Sequence, residues 1–317
     1  MDKLKSLIQP LAIDIADWQL DDLYFNYPEG ARSKNAIFPP SDLDLDFIIP
    51  LRRYLYKRSV QRYPDQFWAE IVAYQVGCNL GVVVPPAFAA FNSETGTCGA
   101  LIEWFYEDGK AELVSGGNFM QILNPEYDRK KGKQHNFEWI SIIGDSFESH
   151  AEIGGDWRLY WSRAILFDSL IGNTDRHQDN WGYLFLQPTN EKEKVDLSPL
   201  FDNGTSLGHE RFPALIENWQ NVEYDRYISK GTHHMRWKKD DPKPMGHIES
   251  IRLIMQQFPD VVPYLTTMVN EFSIDAIANG LEHLKTLQLS VPLTNERADL
   301  YLKLISLRKQ KIELVLS

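Results

Sequence analysis

The sequence predicts an α+β chain in two lobes: a small β-rich N-terminal lobe over residues 1–105 and a larger, mainly helical C-terminal lobe over 106–317. Three observations carry this. Short alternating, aromatic-rich runs bounded by turn residues crowd the first hundred positions. Residues 247–258, 261–287 and 294–316 have helical periodicity, and a capped helix apolar nearly all round follows Asp156. The 317-residue length suits two domains at roughly 100 to 200 residues each.

Residues 18–27 (WQLDDLYFNY) lead into the turn Pro28-Glu29-Gly30, and an apolar run resumes from Asn35 to Phe38, predicting a hairpin with Gly30 at its tip. In 52–59 (RRYLYKRS) the alternation puts Tyr54 and Tyr56 on one face and Leu55 and Lys57 on the other. Phe67, Ile71 and Tyr74 recur at helical spacing within 66–80, with Gly81 as the C-terminal stop and Glu70 inside the helix. Strands are expected at Ala87 to Phe91 and Cys98 to Phe105 around the turn Asn92 to Thr97, and Glu107-Asp108-Gly109 closes the segment.

In the second lobe, Asp156 is placed to cap the helix WRLYWSRAILFDSLIG, which is apolar nearly all round and so expected to be buried, ending near Gly172. A polar loop follows, then a hairpin from Trp181 to Gln187 and Val195 to Leu200 joined by Pro188 to Lys194. Residues 203–246 show no periodicity. A loop that long inside a compact domain is usually functional or mobile.

Composition narrows the function. Lys plus Arg total 33 against 44 Asp plus Glu, and the net charge of −11 argues against broad phosphate-backbone contact, so direct nucleic-acid binding is not expected. Cys78 and Cys98 are too few for a disulfide framework or a four-cysteine zinc site, which fits a reducing cytoplasm. The longest apolar run, Gly81 to Phe91, is too short for a transmembrane segment, and Asp2, Gln9-Pro10 and Asp14 break any secretory leader.

The loop after the buried helix reads Asn173-Thr174-Asp175-Arg176-His177-Gln178-Asp179-Asn180, and 22 residues beyond Asn180 comes Asp202, before Asn203-Gly204. Phosphoryl transfer from a Mg-nucleotide needs one carboxylate to orient and deprotonate a hydroxyl, plus hard oxygen ligands for Mg2+. Asp175, Asn180 and Asp202 supply that set in the D-x-x-x-x-N spacing of a kinase catalytic loop. Asp- and Asn-rich loops are often plain turns; the buried helix before and the hairpin after set this one apart. Lys57, followed 13 residues later by Glu70, matches the strand-lysine and helix-glutamate pair that holds nucleotide phosphates. Gly30, Ala31, Arg32, Ser33 and Lys34 form a candidate phosphate loop with a single glycine, which a hairpin turn explains nearly as well. Glu103, Trp104 and Phe105 are a candidate hinge for adenine, with an ordinary edge strand as the competing reading.

Asn173 to Asn180 followed by Pro199-Leu200-Phe201-Asp202 resembles the NTDRHxxN and L-x-P-x-[YF]-D motifs of the HipA-like serine/threonine kinases, toxins of bacterial persistence modules. The resemblance runs from about Gly30 to the C-terminal helices. It implies a two-lobed protein-kinase-like fold, dependence on ATP and Mg2+, and a protein substrate. By position it implies Asp175 as base, Asn180 and Asp202 as metal ligands, Lys57 as the ATP lysine with Glu70 beside it, and His177 as structural. It also implies an antitoxin or regulatory protein as partner. With Gly30 so early, the subdomain of about a hundred residues that full-length members carry ahead of it is expected to be missing, as in the short HipT-like or CtkA-like forms, the latter secreted. Tyr27 precedes the turn where the family's autophosphorylated serine lies near, so Ser33 is the nearest loop hydroxyl.

The same motifs also resemble type II phosphatidylinositol 4-kinases, which share the chemistry but need a membrane-docking surface that neither cysteine here supplies. A nucleotide-binding pseudokinase acting by protein contacts is the non-enzymatic alternative. Adjacent His233 and His234 diverge and make a poor zinc pair. Lys230, Arg236, Lys238 and Lys239 around them are read as an acceptor or phosphate contact, or as a solvated loop.

Overall fold

The computed structural model describes residues 7–22, 33–186 and 194–317. By packing the chain forms two units. The first takes Met1–Phe105, Leu207–Asn218 and Ser273–Lys303; the second takes Tyr106–Ser206, Trp219–Phe272 and Leu304–Ser317. A cut at residue 105 into two continuous halves therefore omits two later stretches that pack with the first unit.

In the first unit β1 (Ile13–Asp14), β2 (Gln19–Leu20), β3 (Lys34–Phe38), β4 (Tyr54–Arg58), β5 (Ala87–Asn92) and β6 (Thr97–Glu103) form one sheet ordered β1-β5-β6-β4-β3-β2. β1 runs parallel to β5 and the other neighbours are antiparallel. Register aligns Tyr56, Leu101 and Phe88, which share a core with Ile13, Trp18, Ile37, Phe47 and Tyr54. The opposite face is lined by small, fully buried Ala36, Ala89 and Ala100, which permit close approach of a helix. α1 (Phe67–Leu80) packs across β5 and β6, with α9 (Ile274–Lys285) also against it. Enclosure on both sides accounts for its apolar circumference, and it stops at Gly81, whose φ of 80° is left-handed. The expected strand from Cys98 to Phe105 ends at Glu103. The expected hairpin tip at Gly30 lies outside the described residues.

In the second unit β7 (Ala111–Ser115), β8 (Glu152–Ile153), β9 (Gly182–Leu186) and β10 (Lys194–Leu197) form a sheet ordered β7-β9-β10-β8. β9 and β10 are the expected antiparallel hairpin, though 187–193 of its turn lie outside the described residues. α4 (Trp157–Ile171) is the buried helix: the Asp156 carboxylate accepts from the Arg158 amide at 2.8 Å, and Gly172 closes it at φ 68°. Around α4 pack α3 (Phe137–His150), α7 (His247–Gln257) and α8 (Val262–Glu271).

Three stretches differ from expectation. Residues 106–155, for which the sequence suggests no element after the Glu107-Asp108-Gly109 turn, hold β7, β8, α2 (Gly116–Leu123) and α3, the last capped by Asn136 Oδ1 accepting from the Trp139 amide at 2.9 Å. The run 261–287 is not one helix, because Ser273 Oγ accepts from the Ala276 amide at 3.1 Å and starts α9 afresh after α8. Residues 203–246 contain α5 (Pro213–Ile216) and α6 (Asn221–Ser229), and α10 (Asn295–Leu316) ends the chain. Among the described residues no helix is long and apolar enough to cross a membrane.

Candidate active site

The loop after α4 is fixed by its own amides. Asn173 Nδ2 donates to Asp168 Oδ1 at 3.1 Å, and its Oδ1 receives the Asp175 amide at 3.0 Å. The Asp175 carbonyl takes the His177 amide at 2.8 Å and Asn180 Nδ2 at 2.7 Å. The Asp175 backbone is thus held on both sides, with its side chain half-buried. Since the Asn180 nitrogen is committed, Oδ1 is the atom that side chain can offer a cation.

Arg176 binds this loop to the segment bearing Asp202. Its side chain is fully buried and pairs with Asp168, Nη2 to Oδ1 at 2.7 Å and Nε to Oδ2 at 3.0 Å. Its Nη1 donates to the carbonyls of both Asn180, at 3.2 Å, and Phe201, at 2.5 Å, and Nη2 also donates to Asn203 Oδ1 at 2.7 Å. Burial works against the guanidinium charge, but the Asp168 carboxylate outweighs it and holds the pKa above its ordinary value. Two carbonyls converging on one nitrogen bring Asn180 and the residue before Asp202 together. The Thr174 amide, bonded to Thr205 O at 3.3 Å, adds a second tie.

Asp202 has φ of 57°, a left-handed conformation uncommon for a residue with a Cβ and typical of constrained sites. Its carboxylate and Asn180 Oδ1 are hard oxygen donors of the kind that suit Mg2+, which usually takes one or two protein ligands and completes its shell from water and phosphate. Among the described residues no three His, Cys, Asp or Glu side chains gather into a closed metal cage.

The other acid of the loop is structural. Asp179 Oδ1 accepts from Ser115 Oγ and from Arg129 Nε, each at 2.9 Å, and Gln178 Nε2 donates to Arg129 O at 2.7 Å. Trp181, buried behind the loop, donates from Nε1 to His135 Nε2 at 3.1 Å. His177 Nδ1 accepts the Asp179 amide at 3.1 Å, a turn-stabilising contact. Asp168, Arg176, Ser115 and Arg129 were not legible as site residues; the one local signal was a lone acid, Asp168, inside an apolar helix.

In the first unit Lys57 lies opposite Ala100 on β6 and Lys34 on β3, facing α1. Its ammonium meets Glu70 Oε1 at 2.6 Å, and both side chains are at most 4% exposed. The alternation of β4 and the helix position of Glu70 thus yield a buried ion pair. Gly30, Ala31 and Arg32 lie outside the described residues. Ser33 precedes β3: its carbonyl takes the Arg58 amide at 3.0 Å and its hydroxyl is hydrogen-bonded to the Arg58 guanidinium. The amides of Glu103 and Trp104 are engaged by Pro86 O, at 2.8 Å, and Arg53 O, at 3.0 Å, so an adenine contact at Glu103, Trp104 and Phe105 would use other backbone groups.

The segment 230–239 is braced. The Arg236 amide donates to His135 O at 3.0 Å, its carbonyl receives the Phe137 amide at 2.9 Å, and Trp237 stacks on Phe137 at 4.5 Å. His233 and Met235 are buried, while Lys230, Lys238 and Lys239 are exposed.

No protein-family model matches the chain, and no curated protein matches it by sequence. Solved structures do. The chain aligns with a Helicobacter pylori proinflammatory kinase, CtkA, at TM-score 0.75 over 96% of each chain and 17% identity. The fold is protein-kinase-like. HipA of Shewanella oneidensis MR-1, solved with HipB and operator DNA, aligns at TM-score 0.55 and 12% identity over 93% of this chain and 65% of its own. At these identities the likeness is one of fold, and it is the fold expected from the HipA-like motifs.

Proposed function

We propose that this chain is an ATP- and Mg2+-dependent kinase of the HipA-like type that transfers the γ-phosphoryl group to a serine or threonine hydroxyl of a protein. The observation that supports the reading is the meeting of the Asn180 and Phe201 carbonyls on Arg176, which ties the backbone just before Asp202 to the loop that carries Asp175. Asp175 orients the acceptor hydroxyl and takes its proton as the oxygen bonds to the γ-phosphorus and the bridging bond to ADP breaks. Asn180 Oδ1 and the Asp202 carboxylate hold Mg2+, which neutralises phosphate charge. Lys57, kept in place by Glu70, contacts the nucleotide phosphates.

Charge favours a protein acceptor. A net charge of −11 opposes an anionic lipid surface, where each Lys or Arg contributes about 1 kcal/mol of attraction. Lys230, Lys238 and Lys239 are exposed and available to an acceptor's acidic side chains, with Asp240 and Asp241 next to them in the chain. By analogy with HipA in its complex with HipB, the chain takes an antitoxin-like regulatory protein as partner and works in the cytoplasm, or in a target cell as an effector.

The deciding experiment offers labelled ATP to whole-cell protein and to phosphoinositide vesicles side by side. Label on Ser or Thr of soluble protein supports the reading. Label confined to lipid replaces the acceptor, and no label in either removes the kinase.

A further inference from the structure

Behind the loop that carries Asp175 lies a buried polar cluster with no part in the roles above. At its centre is His247, the first residue of α7 and 1% exposed. Arg308, on α10, donates from Nη1 to His247 Nδ1 at 3.2 Å and to Ser169 O at 3.1 Å. A guanidinium can only donate, so Nδ1 is the acceptor and the proton of the neutral ring sits on Nε2. That Nε2 is 2.9 Å from the Asn173 carbonyl. Burial, reinforced by His233 and Arg308 nearby, holds the ring well below its ordinary pKa, hence neutral. Asn173 is the residue whose side chain receives the Asp175 amide at 3.0 Å. A continuous chain of contacts therefore runs from Arg308 through His247 and Asn173 to Asp175.

The surroundings are built to keep this aim. The His247 carbonyl is held twice, by Ser169 Oγ at 2.8 Å and Ser250 Oγ at 2.7 Å. Two glycines leave the necessary room: a Cβ on Gly172 would stand 2.5 Å from Arg308 Nη2, and one on Gly231 would stand 2.7 Å from His247 Nδ1. A Cβ at either place would require one of the two side chains to shift.

We propose that His247, aimed by Arg308, is a positioning residue for Asp175, fixing the Asn173 carbonyl so that the loop presents its carboxylate in one place. The proposal rests on the kinase reading, in which Asp175 takes the acceptor's proton. His247 acts through Asn173 and not on the reacting atoms.

The test compares His247→Leu, which keeps bulk without polar atoms, with His247→Gln, whose amide can donate to Asn173 O and accept from Arg308. Amide hydrogen exchange across 173–180 in the Leu variant should quicken roughly five- to tenfold while α4 stays as protected as before. Its kcat should fall by a similar factor at unchanged KM for ATP, and the Gln variant should recover most of both. If the Leu variant does not fold, Arg308→Met, which frees the tautomer, should show the same loosening in smaller degree. Wild-type exchange and kcat in the Leu variant, or a Gln variant no better than Leu, overturn the role. If the unaltered chain transfers no phosphate, the kinase reading fails, and the exchange contrast alone decides the positioning role.

Discussion

The Arg176 guanidinium grips Asp168 through two parallel bonds, 2.7 and 3.0 Å long, with both side chains withdrawn from water. The other side of the same guanidinium gathers the carbonyls of Asn180 and Phe201. A buried ion pair adds little stability over an apolar pair, but removing one member strands the other's charge. Here that pair also sets the geometry of the loop.

Asp168→Asn is accordingly expected to cost about 3 to 5 kcal/mol of folding stability, because Arg176 keeps its charge in a dry site. Arg176→Lys should cost nearly as much, since an ammonium cannot reproduce the planar fork. Denaturant unfolding measures both. A loss below about 1 kcal/mol in both variants would show that the pair is solvated or dispensable.

Lys57 and Glu70 make a similar buried pair with a different consequence. Lys57→Ala should weaken binding of Mg-ATP about tenfold or more by titration calorimetry, through loss of a charged phosphate contact. Glu70→Gln should do less, because Glu70 only positions the ammonium. Equal affinity in wild type and Lys57→Ala would remove Lys57 from the nucleotide site.

Buried histidines give a pH signature. Burial pushes His233 down to about 4, and burial with His177 nearby does the same to His234, against 6.5 ordinarily. Both fall in the folded chain, so the unfolded chain binds protons that the folded one refuses. Their contribution is fully present above about pH 6.5 and is lost as pH falls toward about 4. Unfolding free energies measured across that window should decline, and less steeply in His233→Gln. Identical slopes for the two proteins would show that His233 does not titrate out of step between states.

Much of this was written locally in the chain. α1 and α4 were legible because apolar residues ran to a glycine in left-handed position, and α4 because Asp156 stood ready to cap it. Lys57 was legible because strand alternation put it opposite Tyr54 and Tyr56. Asp168 and Arg176 were not, since their pairing depends on the loop folding back onto α4, and neither residue type at that spacing marks it. The discontinuous first unit was hidden for the same reason: Trp68 Nε1 donates to Val291 O at 3.1 Å across 223 positions. Local periodicity carries no record of such contacts. The break at Ser273 did have a signal, a hydroxyl residue followed by Ile274-Asp275, which the apolar run around it masked.

The most direct test of the central claim is transfer of labelled phosphate from Mg-ATP to soluble cell protein by the unaltered chain and by Asp202→Asn, each shown to be folded. The account predicts label on serine or threonine with the first protein and a loss of several orders of magnitude with the second, because the amide no longer supplies the carboxylate charge that holds the metal. Near-normal transfer by Asp202→Asn, or none by the unaltered chain, would contradict it.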